Sequence, residues 1–117
     1  MNEGIAPRQG ILSLTIRDKS ALYAAYMPFV SGGGLFIPTK KGYRLGEEVF
    51  MLLTLMDEGD KIPVAGKIVW ITPPGAQGNR AAGIGVQFSD QDDGAARNKI
   101  EGYLAGALES ERPTHTL

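Results

Sequence analysis

Two apolar runs, EEVFMLLTLM (47–56) and KIPVAGKIVWIT (61–72), stand on either side of DEGD (57–60). Turn-forming residues between two runs rich in Val, Ile, Leu and Thr predict a β-hairpin at the centre of the chain. The first run is apolar on both faces, which predicts a central strand covered on two sides. In the second, Gly66 marks an expected bulge or bend. Strict alternation then puts Ile68, Trp70 and Thr72 on one face, with Lys67, Val69 and Ile71 on the other.

Shorter segments flank this hairpin. In GILSLTI (10–16), Leu12, Leu14 and Ile16 face one way and Ser13 and Thr15 the other, as in a half-buried strand. DKSALYAAYM (18–27) carries Leu22 and Tyr26 at helical spacing and is expected to form a short helix, stopped by Pro28. LFIPT (35–39) is a short strand in which Pro38 marks an edge or an end. RAAGIGVQF (80–88) follows the loop PPGAQGN (73–79) and points Ala82, Ile84, Val86 and Phe88 inward. Gly83 and Gly85 then face outward, where another group is expected to pass close by.

A helix closes the pattern. Ser89 with Asp92 three residues later suggests a capping box, and Ala96, Ile100, Tyr103, Leu104, Ala107 and Leu108 share one helical face. The tail ESERPTHTL (109–117) is polar and is expected to be mobile. The fold expected is mostly β: a small antiparallel six-stranded barrel with a short helix after the first strand and a C-terminal α-helix. It comprises an N-terminal segment (1–9), the barrel with its closing helix (10–108) and a flexible tail (109–117).

Composition narrows the function. The 117 residues fit one ordinary domain. With no Cys, disulfides and thiolate chemistry are excluded. A net charge of -1 argues against nucleic acid and against electrostatic attachment to an acidic membrane. MNEGIAPRQG has no basic start leading into an apolar stretch, and VFMLLTLM is far too short to span a bilayer. A soluble, cytoplasmic chain without direct membrane insertion is expected. The single histidine, His115, lies in the tail with no fixed partner nearby in sequence, so a solvated residue is expected there. SDQDDG lacks the spaced ligands of a calcium loop, and no serine sits in a nucleophile elbow. No enzyme, metal site or cofactor is expected.

The most specific stretch is PFVSGGGLFIPT (28–39). Three adjacent glycines before an apolar strand mean either a sharp bend or a ligand close to the backbone. This loop, then GKIVW (66–70), then GIGVQF (83–88) and a closing helix, in that order, resemble the PilZ family over about residues 10 to 108. In members that bind cyclic di-GMP, Arg-x-x-x-Arg and Asp/Asn-x-Ser-x-x-Gly hold the ligand. The arginines supply bidentate donors to phosphate, and the glycine lets the backbone come close.

Half of that pattern stands here. Ser31 and Gly34 occupy the Ser and Gly positions, but Phe29 replaces the Asp or Asn, and Arg8 and Arg17 are followed four residues later by Leu12 and Ala21. The loop is therefore expected to remain as a bend, with no cyclic di-GMP bound. Overall the chain is most similar to the short single-domain members without the arginine pair. That resemblance implies an adaptor in type IV pilus assembly and twitching motility. Its implied partners are the pilus-extension ATPase and an EAL-domain cyclic di-GMP regulator, with recruitment through them to the inner-membrane pilus machinery. The alternative it leaves is a cyclic-dinucleotide receptor with an altered site. Tyr23, Tyr26 and Phe29, clustered beside the glycines, and Trp70 are the expected partner-binding residues, because aromatics dominate protein interfaces; the alternative is that they fill the core, for Phe29 and Trp70 above all. Tyr23 and Tyr26 are expected on one face of the short helix with their hydroxyls outward.

Overall fold

The computed structural model of the chain describes residues 11–75, 81–105 and 115–116. Five strands and two helices follow in order: β1 (Leu12–Ile16), α1 (Lys19–Ala25), β2 (Gly34–Pro38), β3 (Glu48–Leu55), β4 (Ile62–Thr72), β5 (Gly83–Phe88) and α2 (Ala95–Tyr103). The strands form a single sheet in the order β1-β3-β4-β5-β2. Among the described residues this is one strand fewer than the six expected, and the connection from Thr39 to Glu47 holds no strand. Nor is the sheet wholly antiparallel. β1 runs parallel to β3, pairing Leu12 with Met51 and Ile16 with Leu55. After β1 the chain passes through α1 to the opposite edge of the sheet, a crossing that no local pattern encodes.

The hairpin forms as expected. β3 and β4 pair antiparallel, with Met51 opposite Val64 and Leu53 opposite Ile62. Facing partners in a ladder share a face. Leu12, Leu14 and Ile16 of β1 therefore lie with Met51, Leu53 and Leu55 of β3 and Val64 of β4 in one apolar layer. Ile16, Met51, Leu53, Leu55 and Val64 are buried there. The expectation that β3 is covered on both faces is corrected: Leu52 and Thr54 are half-buried and Phe50 is exposed on the reverse side. An apolar residue on an exposed face is common in small domains.

The bulge lies elsewhere than expected. Register slips between Ile68 and Trp70, where Ile68 opposes Val86 and Trp70 opposes Gly85. Val69 is the extra residue. Since Val86 and Gly85 are consecutive, their side chains point to opposite faces, and so do Ile68 and Trp70. Ile68 is buried in the core layer, whereas Trp70 and Thr72 lie on the outer face. The shared face read for Ile68, Trp70 and Thr72 is thus corrected by one inserted residue. Gly66, expected to bend, instead lets β5 approach: a Cβ there would stand 2.3 Å from the Gln87 carbonyl oxygen.

α2 starts later than the capping box implies. Ser89 accepts from Gln91 N–H at 3.0 Å and so caps a short 3-10 turn, Asp90–Asp92. Asp93 and Gly94 then take left-handed backbone angles, and the Asp92 carboxylate accepts from the N–H groups of Gly94 and Ala96 at 2.9 and 3.0 Å. That carboxylate satisfies donors at the new helix start. Ala96, Ile100 and Leu104 are buried and Tyr103 is half-buried, so this part of the apolar face forms as expected. Ala107 and Leu108 lie outside the described residues. No described helix is long and apolar enough to cross a membrane.

Candidate functional site

The glycine loop makes a bend. Gly32 and Gly33 have φ of +79° and +84°, a region other residues enter only with strain. Gly33 N–H donates to the Val30 carbonyl at 2.7 Å, and Met27 N–H donates to the Gly34 carbonyl at 2.9 Å. These bonds turn the chain from the end of α1 into β2. Gly34 serves space: a Cβ there would lie 2.6 Å from the Val86 carbonyl oxygen. β5 pins the loop from the other side. Phe88 N–H donates to the Gly33 carbonyl at 2.9 Å, and Gln87 Nε2 donates to the Ser31 carbonyl at 2.9 Å. Ser31 itself is exposed.

The expected aromatic cluster splits in two. Tyr23 is 7 % and Tyr26 1 % exposed, so both are core residues. This corrects the outward orientation read from their three-residue spacing. Tyr23 lies within α1, but Tyr26 is its C-cap in extended conformation and bridges to Leu35, where the sheet and α2 close over it. The Tyr26 hydroxyl donates to Glu101 on α2 at 2.5 Å, and Arg97 Nε lies 3.2 Å from the same carboxylate. Burial, reinforced by that carboxylate, raises the Tyr26 phenol well above its ordinary pKa. The bond from Tyr26 and the Arg97 charge hold the Glu101 carboxyl below its usual range, against some desolvation.

Phe29 and Trp70 meet on the surface. Their ring centroids are 6.2 Å apart at 62°, an edge-to-face contact. Phe29 is 48 % exposed and Trp70 half-buried. Trp70 Nε1 donates to Thr72 Oγ1 at 2.8 Å, so the indole's polar group is satisfied within the chain while the ring keeps open surface. Pro28, Ile71, Pro73 and Pro74, neighbours in sequence of the pair, are also exposed. The sequence places these two rings 41 positions apart (70 − 29), and only the bulge in β4 turns Trp70 to the side where the loop carries Phe29.

What passes close to Gly83 and Gly85 is the protein itself. A Cβ on Gly83 would stand 2.4 Å from Phe36 Cζ, and one on Gly85 would stand 2.7 Å from Trp70 Cβ and 2.8 Å from Met27 Cε. His115 is not a free tail residue: its ring stacks on Phe36 with centroids 5.0 Å apart at 27°, and its N–H donates to the Ala24 carbonyl at 2.9 Å.

Sequence reasoning missed a second tyrosine–carboxylate contact. Tyr103 donates to Glu58 in the β3–β4 turn, and Lys99 Nζ lies 2.7 Å from the same carboxylate. Tyr26–Glu101 and Tyr103–Glu58 thus tie the C-terminal turn of α2 to two separate places, the start of the glycine loop and the β3–β4 turn. The i, i+4 spacing of Lys99 and Tyr103 was the available clue, but Glu58 comes from a turn distant in sequence. A shallow cavity of about 280 Å³ opens beside Glu48, Lys67, Gln87, Ser89 and Gln91, with one cation and one anion at its rim. Among the described residues no three metal-ligating side chains converge.

Arg97 lies beside the glycine loop, where its Cγ would be 3.4 Å from a Cβ on Gly33, but its guanidinium is engaged by Glu101. Arg17, at the end of β1, is exposed. A family model described as PilZ domain matches residues 11–106. No curated protein matches the chain.

Proposed function

The chain belongs to the PilZ domain family, a family of cyclic di-GMP signalling, and on that premise we propose that it is a non-enzymatic adaptor that works by binding other proteins. The specific setting is type IV pilus assembly and twitching motility. The partners are the pilus-extension ATPase and an EAL-domain regulator that reads cyclic di-GMP, through which the chain joins the inner-membrane machinery. The observation that carries this reading is the exposed Phe29–Trp70 pair. Where a nucleotide-binding member has an acceptor for guanine, this chain has an aromatic ring held edge-on to an indole. An uncharged, half-open aromatic surface is what a protein partner desolvates at a hot spot.

The loop supports the same reading. Its glycines are accounted for by the turn and by the approach to β5, so they need no ligand to explain them. Charge-assisted contacts are worth about 1.5–3 kcal/mol each, and the arginine pair that would supply several is missing from the sequence. Within this proposal Phe29 and Trp70 touch the partner, and Tyr23 and Tyr26 support them from the core.

Calorimetric titration with cyclic di-GMP tests it. No heat of binding is expected at micromolar ligand, together with capture of the extension ATPase that is lost in Phe29→Ala. Micromolar or tighter nucleotide affinity would instead establish a receptor with an altered site.

A further inference from the structure

We propose that the loop between β2 and β3, residues 39–47, is a contact for an anionic lipid surface, with Leu45 as its apolar tip and Lys40, Lys41 and Arg44 as its cations. The chain's net charge of -1 hides a local excess. This loop carries three cations and one anion, a net +2, so the rest of the chain carries -3 (-1 - 2). Its cations are open to headgroups. Lys40, Lys41 and Arg44 are exposed, and the ion pairs of the described residues take Arg97 and Lys99 instead. The loop's anion is turned onto the loop's own backbone: Glu47 is half-buried, and its Oε1 accepts from the Arg44 N–H at 3.1 Å.

Hydrogen bonds hold these groups in one shape. Thr39 N–H donates to the Ala82 carbonyl at 3.0 Å, and Thr39 Oγ1 accepts from Lys41 N–H at 3.1 Å. At the other end Glu47 N–H donates to the Arg44 carbonyl at 3.1 Å and closes a tight turn, with Gly46 at φ +88°. Gly46 N–H and the Glu47 carbonyl both bond Ile68 on β4, at 2.7 and 2.9 Å. Leu45 sits at the tip of that turn and is 66 % exposed, more than any other large apolar side chain described. Tyr43 is half-buried, and Lys41 Nζ stands 5.8 Å from its ring centroid. This composition separates a bilayer from a protein. Lys is depleted at protein interfaces, and Leu is scarce among their hot spots. A bilayer suits the same set: each cation meets an anionic headgroup, Lys stems and a Tyr ring fit the interfacial zone, and a projecting Leu needs no matching pocket. One loop of this size gives weak, reversible attachment that adds to a grip supplied by a protein partner.

The contact does not rest on the adaptor reading, and its test uses lipid alone. The full chain is mixed at millimolar lipid with vesicles of equal parts phosphatidylglycerol and phosphatidylcholine, and with vesicles of phosphatidylcholine only. Cosedimentation is expected with the anionic vesicles alone and is expected to fall at high salt. Lys40→Glu with Lys41→Glu should lower it at least about tenfold. Leu45→Ser should lower it several-fold and keep the salt dependence. Both variants should keep the circular dichroism spectrum, since all three side chains stand in solvent. In bicelles of the anionic mixture, a spin-labelled lipid should broaden the amides of Lys41 to Gly46 first. No cosedimentation with either vesicle would overturn the proposal, as would equal binding to both, unchanged binding in the two variants, or broadening centred on another segment. Soluble polyglutamate that shifts the same amides as strongly as the bicelles would also overturn it, in favour of an acidic protein segment.

Discussion

Tyr23 and Tyr26 lie three to six residues from Phe29 in sequence, yet they do opposite jobs. The tyrosines are buried between α1, the sheet and α2, with the Tyr26 hydroxyl committed to Glu101. Phe29, just past the helix, is 48 % exposed and leans on Trp70 from another strand. A cluster of aromatics in sequence is therefore not a surface cluster. The chain reverses at the glycines, and that turn places residues before it under cover and residues within it in the open.

The largest expected effect sharpens the buried side of this contrast. Tyr26→Ala should cost about 3–5 kcal/mol in urea unfolding, as for other large aromatic truncations in a core. Tyr26→Phe should cost less, about 1–2 kcal/mol, because it deletes one hydroxyl and leaves Glu101 with Arg97. A Tyr26→Ala chain as stable as the original would break the comparison.

The open side is read by binding. Phe29→Ala should change stability by less than about 1 kcal/mol, since half of the ring is already in water. If the pair is a hot spot, affinity for the extension ATPase should fall by at least about 2 kcal/mol, roughly thirtyfold. A destabilisation as large as that of Tyr26→Ala would move Phe29 into the core class. Unchanged affinity would leave the pair without a partner role.

The smallest effect is in pH. The Tyr26 phenol titrates above its ordinary value of about 10 in the fold, so its contribution is complete below that pH. It is lost as pH rises past about 10, where the unfolded chain releases the proton and the fold keeps it. Tyr43 and Tyr103 are raised as well, so the diagnostic is a difference. Tyr26→Phe should flatten the decline of urea stability between pH 9 and 11, whereas Phe29→Ala should not. Glu101 and Glu58 are lowered, so they favour the fold above the usual carboxylate range of about 4.3 and lose that contribution as pH falls through their depressed values. Equal alkaline slopes in the original chain and Tyr26→Phe would show that the phenol is not held as the geometry requires.

Much of this was legible in the residues. Apolar runs, alternating in β1, β4 and β5 and continuous in β2 and β3, gave all five strands within two or three residues, because strand burial is written in the local apolar pattern. Helical spacing located both helices, and three adjacent glycines announced the bend. The missing arginine pair and Phe29 in the acceptor's place were visible as letters. The depth of Tyr23 and Tyr26 was not, since three-residue spacing on a short helix says which residues share a face but not what covers it.

The sequence by itself determined the β-rich class, the positions of the elements and the chemistry absent from the glycine loop, since each depends on residues close together in the chain. Tertiary structure alone decided the strand order, the parallel entry of β1 beside β3 and the face on which Trp70 lies. The last rests on one extra residue, Val69, opposite none in β5. Side chains in a strand alternate, so a single insertion reverses every face beyond it, and whether a strand bulges depends on the partner it meets across the ladder. The pairing of Phe29 with Trp70, the tie of Tyr26 to Glu101 and the seating of His115 on Phe36 likewise join residues 41, 75 and 79 positions apart (70 − 29, 101 − 26 and 115 − 36), which only the folded chain brings together.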